Sequence, residues 1–302
     1  MFALAAIMAG RVLRLPPHIA GPSNLSDRSG NEPRVAPREK NMRYEHITLE
    51  CIEGVATITI NRPEVLNALS MQTLDEMMDA LDSVAAMGAR TLLLRGAGRA
   101  FCSGADLSGG VQEDPERIDR GRALETGFNP LLESMVRLPI PIVSAVSGAA
   151  AGGGCGIALA ADIVIASRSA YFLLPFAAIG LVPDLGVTWL LPRLAGRARA
   201  SAMMLLGERI TADVAADWGL IYKVVDDDDL TTAATAMAAR LAAGPTIALG
   251  LTRQALSAAL NQSLPEALAM ERANQRVAGR TVDHAEGIAA FLEKRQPLFR
   301  GR

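Results

Sequence analysis

The chain has 302 residues, half of them apolar, enough for one large domain or a domain with an appendage. A formal charge of −2 without a long Lys/Arg block argues against nucleic-acid and anionic-membrane partners. Cys51, Cys102 and Cys155 are far apart and, like His18, His46 and His284, form no metal-like or nucleophile–base spacing, so a reducing, cytoplasmic compartment, no metal, and carboxylate or backbone chemistry are expected.

The first residues, 1–41, combine an apolar piece with Pro, Ser, Asn and Arg and read as a disordered extension ahead of a start at Met42. Two β-branched runs follow, Ile47 to Ile52 and Val55 to Ile60, with Glu53-Gly54 between them as a hairpin signal. Leu74, Met77, Met78, Leu81 and Val84 recur at helical spacing within Met71 to Met87, and Thr91 to Leu94 reads as a buried strand. After a polar stretch, a helix ending at Leu138 meets Pro139 and Pro141, and the strand Ile142 to Val146 leads into a Gly-rich turn, a helix from Cys155 to Ala161 and the strand Ile163 to Ala166. This alternation predicts an α/β core over 42–229. The region 230–302 is helical throughout, with helices at Leu230 to Ala242, Thr246 to Leu260, Leu264 to Ala278 and Val282 to Glu293. Asp226 to Asp229 lacks the spaced ligands of a calcium loop and reads as a solvated turn.

The turn Ala149-Ala150-Ala151-Gly152-Gly153-Gly154-Cys155-Gly156 carries the most information. Glycines there let a ligand approach the backbone, and their N–H groups lie at the positive end of a helix. The Lys and Ser/Thr of a phosphate-binding P-loop are absent. Phe101-Cys102-Ser103-Gly104-Ala105-Asp106-Leu107 offers a second free N–H at Ala105, and two donors converging on one oxygen make an oxyanion hole.

These two segments, with Asn61-Arg62-Pro63, Asn67-Ala68-Leu69, Ala161-Asp162-Ile163, Glu286-Gly287 and the tail Ala290-Phe291-Leu292-Glu293-Lys294-Arg295, resemble the crotonase superfamily, the enoyl-CoA hydratase/isomerase family, from Tyr44 onward. The resemblance implies an α/β superhelix of repeated strand-strand-helix turns, with a C-terminal helical region used in trimerisation and often a dimer of trimers. It implies an acyl-CoA thioester as substrate, with coenzyme A as part of that substrate and no cofactor. Ala105 and Gly153 match the oxyanion donors. Val65, Asn67, Ala68, Asp106 and Leu107 match positions along which coenzyme A lies, and Phe291 and Lys294 match tail positions that reach it, often in a neighbouring subunit. Asp106 and Asp162 also match positions that hold loops and strand ends together.

The family's hydratases activate water with two glutamates, and here those positions read Gly156 and Phe176, so that chemistry lacks both of its groups. Asp184 sits in an apolar setting, Ile179-Gly180-Leu181-Val182-Pro183-Asp184-Leu185-Gly186-Val187, where desolvation favours a base; Asp184 as the N-cap of the following helix is the alternative. With its neighbouring motifs this stretch is most similar to the branch that isomerises epoxyphenylacetyl-CoA, in which an aspartate at the matching place is the acid/base. The expected activity is acyl-CoA isomerisation; hydration with an unusual carboxylate and acyl-CoA binding without catalysis stand as the alternatives.

Overall fold

In the computed structural model, which describes residues 44–108 and 119–302, the two β-branched runs form an antiparallel hairpin, β1 (Ile47–Ile52) and β2 (Val55–Ile60). Glu53 and Gly54 between them both have positive φ, 49° and 80°, as a two-residue type I′ connection requires. The expected extension over 1–41 lies outside the described residues. Helix α1 (Met71–Ser83) starts at Ser70, whose hydroxyl accepts from Thr73 N, and buries Leu74, Met77 and Leu81. Next come β3 (Thr91–Gly96), α2 (Arg120–Ala123), a π-helical turn (Leu124–Phe128) and α3 (Asn129–Arg137).

Strand β4 (Ile142–Val146) is followed by β5 (Ala149–Ala151), α4 (Gly153–Leu159), β6 (Ile163–Ser167) and β7 (Tyr171–Leu173). A 3-10 turn (Pro175–Ile179) precedes α5 (Val187–Ala195), α6 (Arg197–Leu206), β8 (Ile210–Thr211), α7 (Ala212–Asp217) and β9 (Lys223–Val225). The chain closes with α8 (Leu230–Ala242), α9 (Thr246–Ala259), α10 (Leu264–Ala278) and α11 (Val282–Glu293). Among the described residues no single helix is long and apolar enough to cross a membrane.

Six strands form the main sheet in the order β1-β2-β3-β4-β6-β9, parallel except for the opening hairpin. Its central strands are buried on both faces, which explains their unbroken apolar runs. Leu92, Leu94, Ile142, Val146 and Val164 face the larger core with α1 and α3, while Leu93, Val143, Ala145 and Ile165 face Leu230, Ala234 and Ala238 of α8. Helix α8 opens the helical run in sequence and covers one face of the α/β sheet. The second sheet, β5-β7-β8, was not expected, because strands of two or three residues show no periodicity. Ala149 to Ala151, read from sequence as the front of the turn, pairs in parallel with Tyr171 to Leu173 instead.

Candidate active site

Three segments leaving the carboxyl ends of adjacent parallel strands are stitched into one small layer. The segment after β2 donates from Leu69 N to Gly104 O at 2.8 Å and accepts from Asp106 N at 2.9 Å. The segment after β3 exchanges bonds with β5, Cys102 N to Ala149 O at 3.0 Å and Ala151 N to Cys102 O at 2.9 Å. A parallel ladder uses alternate residues on each strand, so these bonds engage Asp106 and Cys102 and leave the N–H of Ala105 directed elsewhere. Among the described residues neither Ala105 N nor Gly153 N donates to a protein acceptor. Gly153 opens α4 one residue pair earlier than its apolar pattern indicates, so its N–H is one of the helix's unsatisfied first-turn donors.

Glycine is required here by close approach as much as by dihedral. Gly104 has φ of 98°, and a Cβ on it would stand 2.9 Å from Ala151 O and 3.5 Å from Gly153 N, which brings the loop after β3 alongside the first turn of α4. On Gly154 a Cβ would overlap Cys102 O. The two cysteines of this layer are inert: burial pushes both the Cys102 and Cys155 thiols up to about 12, and Cys155 Sγ donates to Ala150 O at 2.8 Å.

Asp184 lies in the turn between the 3-10 segment and α5. Its side chain does not cap α5: the N-cap is Gly186, with φ of 71° and no side-chain hydrogen bond, while the Asp184 carbonyl accepts from Val187 N at 3.1 Å. Burial pushes the Asp184 carboxyl up to about 6, opposed only by its own backbone amide, and no neighbouring charge contributes. The next residue, Leu185, is buried against the oxyanion segment, its Cδ1 only 3.0 Å from where a Cβ on Gly153 would be. Leu69 and Phe128 approach the same position at 3.7 and 3.9 Å. Apolar side chains thus surround the Gly153 position, and one desolvated carboxylate lies on the turn that supplies Leu185. Such a site favours negative charge developing on a carbonyl oxygen. Among the described residues no group of three or more His, Cys, Asp or Glu is placed to hold a metal ion.

The family model for enoyl-CoA hydratase/isomerase matches residues 50–302. The chain belongs to that family. It is 45% identical over 260 residues to an Escherichia coli protein named 1,2-epoxyphenylacetyl-CoA isomerase, covering 85% of this chain and 99% of that protein. A Rhodobacter capsulatus protein named probable enoyl-CoA hydratase is 46% identical over 261 residues, covering 86% of this chain and all of its own length. The crystal structure of enoyl-CoA hydratase from Bacillus anthracis superposes with a TM-score of 0.81 at 33% identity, covering 85% of this chain and 100% of that one. Membership in the crotonase superfamily makes the chain an enzyme of acyl-CoA thioesters, and the relatives' names divide between isomerase and hydratase.

In the family's terms, Gly156 and Phe176 stand where the hydratase glutamates are expected. Both are buried, and Phe176 Cζ lies 3.8 Å from where a Cβ on Gly152 would be. Of the residues expected along coenzyme A, Val65 and Leu107 are exposed, whereas Asn67 is fully buried. Asn67 adopts φ of 58°; its Nδ2 donates to Ala97 O and Ala100 O at 2.9 and 2.7 Å, and its Oδ1 accepts from Arg62 N at 2.9 Å. Its side chain therefore shapes the loop, and Ala68 beside it is buried. The Asp106 carboxylate pairs with Arg62 Nη1 at 3.0 Å and accepts from Ser108; those Ser108 hydrogen bonds first, then Arg62, hold it below the usual carboxylate range.

Phe291 stands on α11, 82% exposed, and Lys294 follows as its C-cap in a left-handed conformation. The contacts of Leu185 and Phe128 with the oxyanion turn had no signal in the sequence, since both look like ordinary core residues in a one-dimensional pattern.

Proposed function

We propose that the chain is an acyl-CoA isomerase that moves a proton and a double bond through a thioester enolate. One observation carries the reading: the turn whose Leu185 packs against Gly153 carries Asp184, desolvated and without a charged partner, while Gly156 and Phe176 supply no carboxylate. The N–H groups of Ala105 and Gly153 hold the thioester oxygen, and they gain most when it becomes an oxyanion. Asp184 removes a proton from one side of the dienolate and returns it on the other, so a single carboxylate suffices. Its raised pKa matches it to a carbon acid better than an exposed aspartate would be.

In this reading coenzyme A runs past Val65, Asn67, Ala68, Asp106 and Leu107, using backbone groups where the side chains of Asn67 and Asp106 are already engaged. Phe291 and Lys294 reach the coenzyme A of a neighbouring subunit in a homotrimer or a dimer of trimers. The exposure of Phe291 and the absence of any buried residue on α10 support such an assembly. The similarity to the E. coli protein named 1,2-epoxyphenylacetyl-CoA isomerase supports aromatic or enoyl thioesters as the substrate class.

The relatives named as hydratases favour a second reading, water addition by the same site. Crotonyl-CoA and a 3-enoyl-CoA, incubated separately, distinguish the two. Appearance of conjugated-enoyl absorbance from the 3-enoyl compound with crotonyl-CoA left intact is the expected result, and loss of the crotonyl absorbance supports hydration. Binding of a thioester panel without solvent proton exchange would instead indicate a protein that holds acyl-CoA and does no chemistry.

A further inference from the structure

Two locally unfavourable choices meet beside Asp184. Gly156 lies inside α4 without a positive φ, so its backbone does not need glycine, and glycine weakens a helix interior relative to alanine. Leu185 is bulky yet adopts φ of 48°, in the left-handed region. What the missing side chain permits is contact. A Cβ on Gly156 would overlap the Leu185 carbonyl oxygen and stand 3.0 Å from Leu185 Cβ and 3.3 Å from its carbonyl carbon. The Leu185 side chain meanwhile reaches Gly153, and a Cβ on Gly186 would overlap Leu132 Cδ2 of α3. The turn 184–186 is wedged between α3 and α4, with its location set by atoms that Gly156 and Gly186 lack. Local strain retained next to a reactive group is evidence of a functional constraint, because packing elsewhere must hold it in place.

We infer that Gly156 and Leu185 are positioning residues for Asp184, and that their contact excludes a second carboxylate at 156. The one-aspartate and two-glutamate arrangements are then mutually exclusive in this chain: any side chain at 156 displaces the turn that carries Asp184. The inference rests on the reading of Asp184 as the acid/base. Charged groups on the surrounding elements are engaged or solvated and do not set the behaviour of Asp184. Glu133 of α3 pairs with Arg137 at 3.0 Å, Arg193 of α5 donates to Trp189 O and Asn261, Glu125 is exposed, and the titratable side chain of α4 is the buried Cys155.

The test compares Gly156→Ala, Gly156→Glu, Leu185→Gly and Asp184→Asn in the full-length enzyme with a 3-enoyl-CoA. Gly156→Ala is expected to lower kcat about a hundredfold, the effect of roughly an ångström of misplacement. Binding of a saturated acyl-CoA stays unchanged, and the acid limb of the kcat profile moves to lower pH as Asp184 meets water. Should Gly156→Ala not fold, Leu185→Gly carries the test: it keeps a left-handed turn but releases the anchor on Gly153, and the same fall in kcat and the same shift of the limb are expected. Gly156→Glu is expected to gain no hydration of crotonyl-CoA. Retained turnover in Asp184→Asn overturns the acid/base reading and this inference with it. An inactive Asp184→Asn beside parental kcat and acid limb in both Gly156→Ala and Leu185→Gly, or crotonyl-CoA hydration by Gly156→Glu, overturns the positioning inference alone.

Discussion

At the scale of single residues, burial of Asp184 acts on activity and on stability in opposite directions. Its folded pKa of about 6 exceeds the ordinary 3.8, so between those values the native state holds more protons than the unfolded chain. Stability from this group is complete below 3.8 and lost as pH rises through 6, whereas a base must be ionised and turnover rises through the same interval. Asp184→Asn is therefore expected to cut proton exchange between an acyl-CoA C–H and solvent by about a hundred- to ten-thousandfold, measured by deuterium incorporation. The same variant is expected to be the more stable protein at pH 8, by an amount on the order of 1 kcal/mol once screening at this partly exposed site is counted. That gain should vanish near pH 4 in urea titrations. The parental enzyme is expected to lose kcat on acidification with an apparent pKa near 6, and a limb near 4 would contradict desolvation of Asp184.

At the scale of elements, one arginine ties the helical region to the site-bearing core. Arg253 of α9, itself buried, donates through Nε to both Asp162 oxygens at 2.8 and 2.7 Å. Its Nη1 and Nη2 donate to the carbonyls of Val136, Leu138 and Met135 at 2.6 to 2.7 Å, around the C-terminal end of α3, where helix carbonyls run out of intrahelical donors. Asp162 also accepts from Ile142 N at 2.7 Å, so the entry to β4, the start of β6, α3 and α9 converge on one guanidinium. Burial raises the Asp162 carboxyl, and Arg253 counters that shift. Arg253→Ala leaves a carboxylate that is 31% exposed and several carbonyls without their donor, and is expected to cost about 1–3 kcal/mol in urea unfolding. Arg253→Lys should recover little of it, because a point charge cannot span both oxygens and the helix end. A loss below 1 kcal/mol would mean that water replaces the arginine at this junction.

At the scale of the whole molecule, the C-terminal helices expose a run of large apolar side chains. Leu256, Leu260, Leu264 and Leu268 on and between α9 and α10 are each more than half exposed, as are Phe291 and Leu292 on α11. Exposed apolar surface of this extent on consecutive helices favours burial against copies of the same chain. Light scattering after size exclusion is expected to give a trimer or hexamer, and Leu268→Glu to shift it toward the monomer. A parental protein that stays monomeric at micromolar concentration would remove the proposed route by which Phe291 and Lys294 meet a neighbour's coenzyme A.

By itself the sequence determined the elements whose information is local. The hairpin at Glu53-Gly54, the amphipathic α1, the doubly buried β3 and β4 and the bounds of α8, α10 and α11 follow from turn chemistry and periodicity, which need only neighbouring residues. The close approach of the loop after β3 to the first turn of α4 was legible as well, because close backbone approach demands glycine and leaves a mark in the sequence. Tertiary structure alone decided what meets what. The three-residue strands of the second sheet exist through pairing with distant partners, Arg253 finds Asp162 across 91 positions, and Leu185 settles on Gly153 and Gly156. It also showed that Asp184 does not cap α5, since helix capping and desolvation call for the same residue and only the position of the Gly186 N-cap separates them.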